Sequence, residues 1–437
     1  MDHRHNVIMK TYRYRSTLGA LPASLTAVTL LIGTSLPILG EGFRNSPPDS
    51  FSLGRAGGRI AQIDNAAAVQ QNPANLVDLT NAQFEFTPTI IYIHVKHTSA
   101  GGGDAETTDP WKVLPNAYGA VPLMGGKLVA GLGVTVPYGL SNEWKKDGAF
   151  ADPLGLRYQA PWYTELKTIN ANPAIAFKLA DSLSVGAGLD VMWSQLTLKQ
   201  FYPWAPWGSL TEGNLKAQGD GIGFGGNVGI TWRIAEHHRL ALTYRSPVSV
   251  DYSGDFTVDN IPPLAAGAGV TARSDFSSHI KFPTIIAAGY GIDLSDRVRL
   301  EVDGEWLQFS NFKSLDLGVE NNAVLFPSTS IPQNWKDTFT VGVGGDWRFS
   351  PDWVLRFGYQ FYESPVPDST FSPTIPDANQ NVITVGLGYH HGPHSLEVAY
   401  GLDFYDERTI TTDQNPAFNG NYNMTVHLFS MAYRLSF

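Results

Sequence analysis

The chain has 437 residues, with 30 Lys plus Arg against 40 Asp plus Glu, and contains no cysteine. A formal charge of −10 argues against nucleic acid as a partner, and the missing thiols exclude a disulfide framework and thiol chemistry. Mean hydropathy slightly below zero would class the chain as water-soluble, but that average is blind to strands apolar on one face only.

At the start, His3, His5, Lys10, Arg13 and Arg15 precede an apolar run from about Leu21 to Leu39. This is the pattern of a secretory signal with a long basic head, a helical membrane anchor being the alternative. Cleavage near Gly40 would start the mature chain around Glu41 or Gly42. The stretch from Glu41 to Thr80 carries no alternating pattern. From about Phe84 onward the chain is a succession of about fourteen short segments in which apolar and polar residues alternate. No later stretch offers about 18 uninterrupted apolar residues, which argues against helical spans. Leu128, Ala130, Leu132, Val134 and Val136 share one face, as do Leu183, Val185, Ala187, Leu189 and Val191. Val298, Leu300, Val302 and Trp306 alternate with Arg299, Glu301, Asp303 and Glu305. Four charges on one face cannot meet lipid, where Arg or Lys at midplane costs about 2–4 kcal/mol, so that face turns to a lumen. In the last segment Phe429, Met431, Tyr433, Leu435 and Phe437 alternate with Ser430, Ala432, Arg434 and Ser436.

The fold expected is all-β: a transmembrane antiparallel β-barrel of about fourteen strands, closed so that no edge meets lipid. Short connections lie near Gly125-Gly126, Asp181-Ser182, Glu236-His237, Ser295-Asp296, Pro351-Asp352 and Gly392-Pro393. They alternate with long ones at about 97–112, 140–164, 197–220, 253–276, 311–336, 364–379 and 406–424. Short turns belong to the periplasmic side, which puts both termini there and leaves 41–80 at the periplasmic mouth as an N-terminal hatch. The organisation expected is a signal peptide over 1–40, a hatch over 41–80 and the barrel over 81–437.

Within the hatch segment stand the turn Gly54-Arg55-Ala56-Gly57-Gly58 and Asn72-Pro73-Ala74. Leu114-Pro115-Asn116, Val136-Pro137-Tyr138-Gly139-Leu140, Trp144, Arg157-Tyr158, Asn172-Pro173-Ala174 and Leu242-Thr243-Tyr244-Arg245-Ser246 follow in order. Trp335-Lys336-Asp337, Leu355-Arg356-Phe357-Gly358-Tyr359, Ser364-Pro365-Val366-Pro367 and Ile375-Pro376-Asp377 complete the series. With these motifs the chain resembles the FadL/TodX family of outer-membrane transporters for long-chain fatty acids and hydrophobic compounds. It departs from the family at Gln380, where Arg is frequent, and at Phe309-Ser310, where Trp-Ser is common. The resemblance implies that the hatch blocks the lumen, that a kink in the third strand opens a gap in the wall, and that the ligand leaves sideways. It also implies that Asn72, Pro73 and Ala74 touch the third strand near Gly131 and Gly133, and that the protein works as a monomer.

Phe201, Trp204 and Trp207 lie in an external aromatic cluster, which reads either as a landing groove for a hydrophobic ligand or as a self-packed loop. Arg245 and Arg157 are candidate partners for a ligand carboxylate, with lumenal acids as competing partners. Gly221, Gly223 and Gly226 spell a dinucleotide-type glycine pattern, but they begin a strand and no helix follows. His390, His391 and His394 crowd one short turn and His237 and His238 another, which reads as exposed turn histidines with metal binding as the alternative; with no HExxH, P-loop or nucleophile elbow in the chain, no cofactor, metal or catalytic residue is expected. The partners expected are a hydrophobic ligand such as a long-chain fatty acid, outer-membrane lipid and lipopolysaccharide, and the barrel-assembly machinery through the strand ending at Phe437. A general aqueous porin, a channel for aromatic or alkane hydrocarbons, and an outer-membrane lipid hydrolase are the alternatives.

Overall fold

The computed structural model describes residues 41–320 and 329–437; the expected signal segment lies outside the described residues. Fourteen strands run in chain order: β1 (83–99), β2 (104–123), β3 (128–143), β4 (Tyr163–Ala180), β5 (Leu183–Tyr202), β6 (Gly213–Ala235) and β7 (238–258). They continue as β8 (273–295), β9 (298–319), β10 (329–348), β11 (Trp353–Tyr362), β12 (Gln380–His391), β13 (His394–Tyr405) and β14 (Gly420–Ser436). Each pairs antiparallel with the next, and β14 returns to β1 through Gln83↔Ser436 and Thr89↔Ser430, so the barrel closes. Alternation sorts the faces as a lipid-spanning barrel requires. Ile175, Leu189, Phe224, Val302, Phe339, Val398 and Met431 are exposed outside, while Ala174, Asp190, Asn227, Asp303, Thr340, Glu397 and Ser430 are buried inside.

The six short turns fall where the sequence puts them, and the loop 363–379 keeps its expected length, but most of the opposite loops are shorter than alternation suggests. The expected loop 197–220 is only 203–212, and 97–112 is only 100–103, because the strands continue beyond the apolar belt. There the polarity of the two faces inverts. Leu196, Leu198, Leu215, Tyr252, Phe256 and Phe276 point inward and are buried, while Lys199 and Lys216 point outward. Outside the bilayer the exterior wants water and the interior can be apolar, so the pattern that marks a membrane strand disappears.

The segment 41–80 lies inside the barrel. Asp49 caps α1 (Ser50–Arg55), accepting a hydrogen bond from the Ser52 N–H at 3.2 Å. After α2 (Ala68–Gln71), a 3₁₀ turn over Pro73–Asp78 is capped by Asn72, with Pro at its first position, where no N–H is needed. Contact with the wall is backbone to backbone in places: a Cβ on Gly344 of β10 would lie 1.9 Å from the Arg55 carbonyl oxygen, and one on Gly57 2.2 Å from Gly342 C. The β9 charges that alternation sends to the lumen meet this segment. Glu301 accepts the Ile60, Ala61 and Gln62 N–H groups at 2.7, 2.6 and 2.9 Å. Glu305 pairs with Arg59 at 2.6 Å and also with Arg44. Arg55 lies 3.2 Å from Asp346, and Arg299 joins Asp64 and Asp346 at 2.9 and 2.8 Å. Removing one member of such a buried pair costs about 3–5 kcal/mol because the other is left uncompensated.

Candidate functional site

The wall is incomplete between β2 and β3. Their ladder runs from Leu123↔Leu128 to Ala117↔Val134 and then stops. Pro137 has no N–H to offer, and β3 resumes at Gly139–Glu143 paired to β4 alone. The Val136 N–H donates to the Asn116 side chain of β2 at 3.0 Å, and backbone pairing with β2 returns at the Thr107↔Trp144 bridge. Across the interruption the chain's own residues 43–45 take the place of the missing strand. Asn45 N–H donates to Pro137 O at 3.0 Å, Gly139 N–H to Phe43 O at 2.8 Å, and the Asn45 side chain to Val136 O at 2.8 Å, with Arg44 and Tyr138 bridged antiparallel.

Phe43, 1% exposed, is driven into an aromatic nest. Its ring centre lies 5.1 Å from Trp335, 5.4 Å from Phe282, 5.5 Å from Phe312, 5.6 Å from Phe309 and 6.0 Å from Tyr138. Gly42 makes the approach possible: its φ is +69°, and a Cβ there would fall 2.2 Å from the Trp335 ring. The Gly42 N–H donates to Asp377 Oδ2 at 3.2 Å, and the Ser364 hydroxyl donates to the same oxygen at 2.8 Å. Burial pushes the Asp377 carboxyl up to about 7. Beside the gap a cavity of about 70 Å³ is lined by Asn45, Arg59, Tyr138, Asn170, Asp190 and Arg245, among others. A cavity that size holds a few waters and no acyl chain. On the loop side, the inverted strands line the barrel interior with Leu196, Leu198, Phe256, Phe276, Ile280 and Phe282.

Of the residues singled out in sequence, Asn72, Pro73 and Ala74 meet the wall two and three strands away from the expected place. The Asn72 amide donates to Thr231 Oγ1 at 2.9 Å, and a Cβ on Gly229 or Gly186 would strike Asn72 Oδ1 at 2.1 Å or Pro73 C at 2.4 Å. Gly131 and Gly133 do face the same segment, but they meet Val69, whose methyl groups would lie 2.5 and 3.3 Å from the added Cβ atoms. Asn72, extended at φ −149° and ψ 97°, ends α2 and caps the 3₁₀ turn, and the Asn-Pro-Ala stretch lies against β5 and β6. Arg245 pairs with Asp190 and donates to Gln70 O at 2.7 Å, so it lines the cavity with its charge already matched. Arg157 binds Glu212 through Nε at 2.8 Å, and its guanidinium lies 4.2 Å from the centre of the Phe201 ring. The hydrogen bonds from Arg157 hold the Glu212 carboxyl below its ordinary range. Trp204 is buried with Nε1 donating to Asp259 O at 3.1 Å, while Trp207 is half-buried in the 203–212 loop. Sequence reasoning missed Phe43, Asn45 and Trp335. Pro137 inside an otherwise regular strand was the available signal.

A closed fourteen-stranded antiparallel barrel with an apolar exterior defines an outer-membrane β-barrel protein. The sequence profile of the outer-membrane transport protein family OMPP1/FadL/TodX matches residues 42–437. The long-chain fatty acid transport protein of Escherichia coli K12 is 24% identical over 441 residues, covering 92% of this chain and 95% of its own. The 47 kDa outer membrane protein of Pasteurella multocida is 27% identical, covering 88% and 90%. Among solved structures, a Pseudomonas aeruginosa FadL homologue superposes with a TM-score of 0.79 at 20% identity, covering 91% of this chain and 100% of its own. The Pseudomonas putida toluene transporter TodX superposes with a TM-score of 0.73 at 18% identity, covering 91% and 99%. The chain belongs to the OMPP1/FadL/TodX family of outer-membrane transporters of hydrophobic compounds. Its relatives are transport proteins rather than enzymes.

Proposed function

We propose that the protein is a passive channel for hydrophobic small molecules, long-chain fatty acids foremost. A ligand is captured at the long loops, which face outward with both termini in the periplasm. It then displaces Phe43 from its nest and leaves sideways through the gap between β2 and β3. The rest of the hatch stays in place throughout, because its remaining buried ion pairs, through Arg55, Arg59 and Asp64, would have to break together for it to move as a body. The observation that carries this reading is the replacement of the β2–β3 ladder by residues 43–45, whose withdrawal would break the Arg44–Glu305 pair but no rung of the barrel's own ladders. The fatty-acid assignment draws support from the Escherichia coli relative, named a long-chain fatty acid transport protein. A carboxylate headgroup could meet Arg245 only by exchange with Asp190, and Phe201, Trp204 and Trp207 serve capture by shaping the loop that Arg157 and Glu212 brace.

The test uses the absence of native cysteine. Arg44 and Tyr138 are antiparallel partners flanked by their neighbours' hydrogen bonds, a spacing of about 4.5 Å between Cα atoms that suits a disulfide. The double variant Arg44→Cys with Tyr138→Cys is expected to lose protein-dependent oleate uptake when oxidised and regain it with reductant. Undiminished uptake through the oxidised form would sink the lateral route.

A further inference from the structure

The outer face of β4, β5 and β6 changes character along the strands. Ile169, Trp193 and Ile222 are register partners at the edge of the apolar belt. Six residues nearer the long loops, the same three strands present Tyr163, Lys199 and Lys216, again in register. At about 3.3 Å per residue and a strand tilt of about 40°, that row stands about 15 Å beyond the belt. Lys199 and Lys216 therefore face each other directly across a ladder, an arrangement of like charges that destabilises a sheet. Lys146 crowds the same spot, with Nζ 3.7 Å from the Trp162 ring centre, while Lys199 Nζ lies 5.5 Å from that ring and 4.3 Å from Tyr163. Of the nearby acids, Glu165 pairs with Lys167 at 2.8 Å, Asp255 with Arg273 at 2.8 Å, Glu212 with Arg157, and Asp220 meets Trp193 Nε1 at 3.3 Å, while Glu143, the register partner of Tyr163, and Asp147, next to Lys146 in the chain, border the row on the β3 side. Lys146 and Lys199 held over aromatic rings, with Lys216 directly across the ladder from Lys199, concentrate positive charge that an anion from outside the chain would stabilise.

We infer that Lys146, Lys199 and Lys216 form a binding site for the phosphorylated inner sugars of an outer-leaflet glycolipid. The inference rests on the proposed orientation, long loops outward, and adds to it a partner for the barrel's outer wall. The height of the row matches a sugar layer above the acyl chains rather than the acyl chains themselves. The half-buried Tyr163 ring suits the apolar face of a sugar, and the lysines, seated over it and over the buried Trp162, suit the phosphates.

The test is binding of purified lipopolysaccharide with a phosphorylated inner core to the full-length protein in detergent, and of the same lipid after dephosphorylation. With lysines near an anionic lipid surface contributing about five-fold each, the triple variant K146Q/K199Q/K216Q is expected to bind about a hundred-fold more weakly. Dephosphorylation should weaken the parent to a similar extent, and Lys336→Gln, on a different sector of the barrel, should leave binding unchanged. Binding by the triple variant within about two-fold of the parent overturns the site. Exposed Leu210, in the loop between β5 and β6, separates the two readings: in a Leu210→Cys variant, labelling of intact cells by an impermeant maleimide is expected. Labelling only after lysis would overturn the orientation and the site together, whereas labelling of intact cells with unchanged lipid binding overturns the site alone.

Discussion

Removing the Phe43 ring is the sharpest way to ask whether the aromatic nest is a ligand site held shut. Phe43→Ala deletes a side chain packed against five rings at 5.1 to 6.0 Å. Burial of a phenylalanine in such a setting is worth about 3–5 kcal/mol. If a ligand must first expel that ring, its apparent affinity in the parent is reduced by the factor this energy represents, at least about a hundred-fold. Even if the alanine variant recovers only half of that free energy, binding should tighten about ten-fold or more. Trp335 is the natural reporter, since its ring stacks on Phe43 at 5.1 Å. A brominated fatty acid entering the nest will quench it, and subtracting the signal of a Trp335→Phe variant isolates that one indole from the other tryptophans. The expected result is a titration of the Trp335 signal shifted to lower ligand concentration in Phe43→Ala. Equal midpoints in the two proteins would refute the displacement reasoning, as would quenching that survives Trp335→Phe undiminished.

Gly344→Ala should prevent the hatch from seating, because the new Cβ would lie 1.9 Å from Arg55 O; the check is loss of the heat-resistant folded band after extraction, with Gly304→Ala, whose nearest contact is 3.6 Å, as the tolerated control. Asp377 holds its proton up to about 7 in the folded protein but gives it up near 4 when unfolded, so its contribution makes stability fall as pH rises between those values and level off above. Asp377→Asn keeps an acceptor for Gly42 and should flatten that dependence, read as the pH profile of protease resistance in the 363–379 loop; a profile as steep as the parent's would be the contrary result. Asn72→Ala removes donors to Ile60 O and Thr231 and should cost about 1–3 kcal/mol through the groups left bare, lowering the unfolding temperature without altering ligand affinity in the nest. A loss of affinity at unchanged unfolding temperature would instead place Asn72 in the ligand path.

The barrel was legible because a strand's two-residue period recurs through nearly the whole chain after Phe84 with no helical segment left to cover the apolar face, and because charges such as Arg299, Glu301, Asp303 and Glu305 can stand on only one side of it. Where the bilayer ends the constraint ends with it. The upper parts of β5 to β8 were therefore read as loop, although their ladders continue in register. Pro137 within β3 was visible, but what fills the space beside it was not: Phe43 and Trp335 are 292 positions apart, and nothing local to Glu41–Asn45 indicates a strand.

By itself, then, the amino-acid order determined the class of fold, the number of strands, the face of each that meets lipid and the presence of a segment inside the barrel. These follow from local periodicity and from the cost of placing charge in hydrocarbon. Only the tertiary structure decided that the Asn-Pro-Ala turn seats on β5 and β6, that Arg157 and Arg245 are already paired, and that residues 43–45 complete the wall. Those outcomes depend on which side chains a closed cylinder brings face to face across hundreds of residues, and strand periodicity carries no information about that meeting.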